Sequence, residues 1–221
     1  MLWIAATMYS TFLFLVAAIP FGYIRGNALV IWGALLASLA ALVIGLLIII
    51  FSKLNVNSYS GWFILALGEE AARGLLLYRF VLRYENQLVQ RALFGAIFGW
   101  LELLVKLYPS VTGCKEIVTP LSCVSGAPYL GISLAEPILF HIFITAIGYR
   151  DATNFKNWTI ALFGAAVFHA TINGAKVIPS SFNSGIMAGF VVLPTTFILL
   201  YAIVFYLVYL QNKGNLTLLN K

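Results

Sequence analysis

GWFILALGEEAARGLLLYRF, residues 61–80, has the length and apolarity of a bilayer-crossing helix, yet it carries Glu69, Glu70 and Arg73 in its middle. Charged side chains at that depth are costly and persist where they are paired or used. Arg73 follows Glu69 by four residues and Glu70 by three, so on a helix it reaches either carboxylate. One arginine cannot neutralise both. Two adjacent carboxylates in a low-dielectric site share a proton that can be given and taken, which is what general acid/base chemistry needs. The plainer reading is an ion pair that fixes helix packing.

The rest of the chain has the same character. Of 221 residues, 62% are hydrophobic and 9% charged, and the mean hydropathy of +0.98 is far above that of a water-soluble domain. Unbroken apolar runs without strand-like alternation point to helices rather than a barrel. The expected fold is therefore all-α, a polytopic membrane helix bundle forming one domain over 1–221. Polar breaks divide it into seven spans near 2–24, 28–52, 61–82, 88–108, 132–150, 157–178 and 184–211. The first run has no early Lys or Arg and no clear cleavage site, so it reads as a retained helix. Only the loop from Pro109 to Gly131 is long. Cys114 and Cys123 share it; they pair if it faces an oxidising compartment and are ordinary thiols otherwise.

A net charge of +6 comes from Lys and Arg scattered between apolar runs, as orientation signals are, and nucleic-acid binding is set aside. With the N-terminus outside, Arg25, Arg79, Arg83, Arg91, Arg150, Lys156, Lys213 and Lys221 fall on the cytoplasmic side. Lys53, Lys106, Lys115 and Lys176 fall outside, so the expected orientation is N-out, C-in, in the cell membrane.

Four of seven acidic residues and both histidines lie within spans or at their edges. Counting ~1.5 Å per residue from the outer helix ends puts Glu69 and Glu70 roughly 12 Å deep, Glu102 about 9 Å, and His141 and His169 about 14 Å. Four helices thus deliver ionisable groups to one layer. Asn173 stands one turn beyond His169, and Phe98 one turn before Glu102. Gly95 and Gly99 form a ridge for close helix approach. Glu102 can instead pair with Lys106 at a helix end, and Glu136 before Pro137 suits a helix's first turn. Two histidines and a carboxylate, Glu69 or Glu70, are also a competent zinc set, so a divalent metal stays open.

EEAAR at 69–73, FGWLE at 98–102, HIFITAIGY at 141–149 and HATIN at 169–173 resemble, in order, the four motifs of the CPBP (Abi) and PrsW intramembrane protease superfamily. That superfamily also contains the Ras-converting CAAX prenyl protease, YhfC-type peptidases and the anterior pharynx-defective subunit of γ-secretase. The Phe-x-x-x-Glu motif and TAIGY are nearest the PrsW branch. Arg73 stands where PrsW proteins more often have lysine, and Glu102 where CPBP proteases have histidine. The resemblance implies that Glu69 or Glu70 activates a water, that His169 and Asn173 hold the oxyanion, and that His141 and Glu102 orient the water or complete the pocket, with Arg73 and Phe98 in support. The implied substrate is a membrane-anchored protein, cleaved without an obligatory metal. A scaffold subunit of a membrane protein complex and a proton-coupled transporter are the competing functions. No internal repeat or Gly/Pro-broken helix pair supports transport.

Overall fold

The computed structural model describes residues 11–12, 14–16, 28–52, 59–82, 88–113, 137–152, 154–177 and 193–212. Among the described residues all regular structure is helical. We number the helices α1 (Ala28–Ser52), α2 (Tyr59–Leu77), α3 (Leu88–Gly113), α4 (Pro137–Gly148), α5 (Phe155–Val177) and α6 (Leu193–Asn212). A π-helical turn, Tyr78–Leu82, continues α2, and the last five residues of α4, Ile144–Gly148, are π-helical as well. Turns of this kind often occur beside functional sites.

Helix α1 is apolar on every face, so polarity cannot tell its inside from its outside. Size does. Val30, Ala34, Ala37 and Ala41 recur at helical spacing and are buried, while Trp32, Leu39, Leu46, Ile50 and Phe51 stand exposed on other faces. Small residues inward and large apolar ones outward are the reverse of a water-facing helix and suit contact with lipid. Only 22% of its apolar window is buried, against 72% for α3, so α1 flanks the bundle and α3 is central. Gly33 admits Phe80 closely: a Cβ there would lie 2.7 Å from the Phe80 Cβ.

Helix α2 packs along α1, α3 packs against α1 and the π turn of α4, and α5 closes against α2. Asn154 caps α5, its side-chain oxygen accepting the Asn157 backbone N–H at 2.9 Å. Val204 and Val208 bury one edge of α6.

Two described helices are long and apolar enough to cross a membrane, Ala28–Phe51 and Leu88–Val105; Pro137–Gly148 and Ile198–Leu210 are shorter apolar segments. Helix α2 is long enough, but Glu69, Glu70 and Arg73 interrupt its apolarity. The helix expected to end at 108 runs past Pro109 to Gly113. A proline loses the bond its own N–H would have donated and its ring crowds the carbonyl four residues back, but later residues can continue the helix. Arg91, read from sequence as an orientation charge, is buried, with its Nε–H donated to the Ala146 carbonyl at 2.9 Å inside the π turn of α4. A π turn changes the backbone hydrogen-bonding pattern, and a guanidinium is well suited to take up such a carbonyl. Most of the expected first span, both cysteines, Glu136 and residues 114–136 lie outside the described residues.

Candidate active site

Helix α2 presents Glu69, Glu70 and Arg73 across one turn. Arg73 Nη2 donates to Glu70 Oε2, both residues being buried. Nη1 of the same guanidinium meets His141 Nδ1 on α4. Phe98 and Tyr149 enclose the cation, with ring centroids 5.6 and 5.7 Å from its Cζ. The other ring nitrogen of His141, Nε2, bonds Glu102 Oε2 on α3.

The second oxygen of Glu70 takes a different partner. Oε1 lies 3.1 Å from His169 Nδ1 on α5, and the Tyr149 hydroxyl donates to Oε2 at 3.4 Å. His169 Nε2 then stands 3.7 Å from Glu69 Oε2. Four helices are therefore joined in one series: Glu102, His141, Arg73, Glu70, His169, Glu69. The two histidine rings lie 5.4 Å apart, and Phe140 packs 4.8 Å from each.

Both ends of the series reach the same groove. It has a volume of about 410 Å³ and lies between α1 and α3; Leu39, Leu42, Leu101 and Val105 wall it, and Glu69 and Glu102 line it. Glu69 is 31% and Glu102 15% exposed, whereas the four groups between them are nearly inaccessible. The groove mouth is apolar, since Leu39, Leu42 and Val105 are themselves exposed.

Glycines make this convergence possible. A Cβ on Gly95 would collide with the His141 carbonyl, and one on Gly99 would lie 2.7 Å from Ile138 Cα. The ridge expected on α3 thus seats the backbone of α4 at the turn that carries His141. Gly74 leaves room for the Tyr149 hydroxyl, 2.8 Å from where its Cβ would be. The Gly74 carbonyl accepts the Trp158 indole N–H at 3.0 Å, tying α5 to α2.

Of the residues anticipated from sequence, Glu69, Glu70, Arg73, Phe98, Glu102, His141 and His169 come together. Glu102 pairs with His141 across helices. Asn173 follows His169 by one turn of α5, and its side chain lies outside the described part. Sequence reasoning gave Tyr149, Phe140 and Trp158 no role. Tyr149 sat inside a quoted motif, but a tyrosine in an apolar run has no excess cost to flag it.

Glu102, His141 and His169 offer donor atoms within 4.8 Å of one another, a group that could hold a metal. His141 fits that role poorly. A metal on Nε2 would leave the proton on Nδ1, pointing N–H at the Arg73 N–H, whereas metal-bound histidines direct that N–H at an acceptor. The set does not fit a three-ligand zinc centre.

No protein-family model, curated protein or solved structure matches the chain.

Proposed function

We propose that this protein is an integral, multi-pass membrane peptidase that hydrolyses a peptide bond of a membrane-anchored protein, using water activated at Glu69. The observation that carries this reading is that two groove-lining carboxylates are each backed by a histidine, Glu69 by His169 and Glu102 by His141. In this reading the chain spans the cell membrane about seven times, N-out and C-in, as one bundle. The uncovered apolar face of α1 supports a lipid setting. The groove between α1 and α3 opens among exposed leucines, so substrate enters sideways from the bilayer.

A gap of 3.7 Å between Glu69 Oε2 and His169 Nε2 is too long for a direct hydrogen bond and suits a water that donates one hydrogen to each. Its lone pairs then face the groove. Attack on the scissile carbonyl carbon forms the C–O bond as Glu69 takes the water's proton. The carbonyl oxygen becomes an oxyanion, which the family resemblance assigns to Asn173 to hold. Collapse breaks the C–N bond, and Glu69 returns its proton to the departing amine, so a carboxylic acid and an amine leave. No step passes through a metal.

The test is co-expression of the full chain with a panel of tagged single-span membrane proteins, followed by purification with any substrate found and reconstitution in vesicles. Cleavage by the wild type and its loss in Glu69→Gln, with folding retained, is the expected result. Equal cleavage by both would refute the assignment.

A further inference from the structure

An arginine side chain can only donate hydrogen bonds, and a carboxylate can only accept them. Arg73 Nη1 faces His141 Nδ1, so that nitrogen carries the lone pair and the proton sits on Nε2, donated to Glu102. Glu70 Oε1 faces His169 Nδ1, so there the proton sits on Nδ1; Nε2 is 3.7 Å from Glu69 Oε2, beyond direct hydrogen bonding, and in the neutral ring it is the acceptor. We propose that the buried Arg73–Glu70 pair sets opposite tautomers on the two histidines, which makes His141 the donor to Glu102 and leaves on His169 Nε2, beside Glu69, a lone pair that can accept from a water.

Neither member of the pair lines the groove, so both are positioning residues that act through the rings they hold. With opposite tautomers, one ring takes a hydrogen from the attacking water and the other offers an N–H toward Glu102. With equal tautomers the site would have two donors and no acceptor, or the reverse. A simple packing role for the ion pair would need neither histidine. With both rings neutral the tautomers follow from the partner each ring nitrogen faces; their service to water activation rests on the peptidase reading.

Only two histidines occur in the chain, so nitrogen NMR of histidine-labelled full-length protein in detergent reads both rings directly. His169→Gln leaves a single ring and assigns the spectrum. At neutral pH one ring should show its pyridine-type nitrogen at Nδ1 and the other at Nε2. Two rings in the same tautomer, or either ring doubly protonated, would overturn the proposal. A second sample, Glu70→Leu with Arg73→Met, removes both charges together and strands neither. There His169 loses its acceptor on Nδ1 and should move its proton to Nε2, facing Glu69, so that both rings match. Persistence of opposite tautomers in that variant would show that the ion pair does not set them. Turnover of a cleaved substrate by the variant should fall by about 100-fold or more with KM little changed. The spectra need no substrate, so failure of the tautomer assignment and failure of the peptidase reading are separately visible.

Discussion

Replacing Gly95 with alanine adds one methyl group where α3 meets α4, and the structure leaves no room for it. The new Cβ would overlap the His141 carbonyl oxygen and lie 2.7 Å from the His141 carbonyl carbon and 3.0 Å from Ile142 Cα, where ordinary contact begins at 3.4 Å. Every obstacle is backbone, so no rotamer change relieves the clash. Helix α4 has to move by a distance on the order of 1 Å, the scale at which a misplaced group costs about 100-fold in rate. Overpacking costs about 1–3 kcal/mol, and this site belongs at the upper end. Alanine's better helix propensity returns up to about 1 kcal/mol. The net is roughly 2 kcal/mol of destabilisation, or a melting point lower by about 4–8 °C for a chain of this size. Gly45→Ala is the control, because nothing lies within 4 Å of a Cβ there; it gains the propensity and meets no obstacle. The assay is thermal unfolding in detergent, followed in parallel with cleavage. Equal melting points and equal activity for the two variants would refute the close seating of α4 on the ridge.

Arg73→Ala strands a buried carboxylate and should cost about 3–5 kcal/mol, seen as loss of folded protein on size exclusion. The paired Glu70→Leu with Arg73→Met change should recover most of it. Trp158→Phe keeps the aromatic body and drops the N–H to the Gly74 carbonyl, so a loss of about 1 kcal/mol is expected in the same melting assay. Cleavage should survive exhaustive chelation without added metal; inactivation that zinc restores would reinstate a metal centre at Glu102, His141 and His169.

Much of the site could be read before any coordinates because ionisable residues in apolar runs are conspicuous. Glu69, Glu70, Arg73, Glu102, His141 and His169 each stood out against their flanks, and a common depth linked them. Depth does not supply azimuth, however. Which glutamate Arg73 would hold was open from spacing, since both are in reach; the answer, Glu70, depends on where α4 and α5 lie. Tyr149 and Trp158 were not singled out because aromatic residues carry no penalty in such a chain and their polar tips declare nothing until a partner is near. Arg91 misled for the opposite reason. At the polar edge of a helix it looked like a topology signal, whereas its Nε–H reaches a carbonyl in the π turn of α4. The all-helical character followed from apolar runs alone, whereas the α1–α3 groove depends on tertiary packing.

The Arg73–Glu70 pair has one more property: both partners belong to a single helix, three residues apart. Its charges can therefore meet as soon as α2 has coiled, before α3, α4 or α5 has been synthesised. A lone acidic or basic residue at a helix centre raises the free energy of insertion by about 2.5–3.5 kcal/mol. A helix that brings its own counterion presents the insertion machinery with a dipole in place of two bare charges. The later helices then dock their histidines onto an ion pair that is already assembled, so chain order itself becomes part of how the site is built.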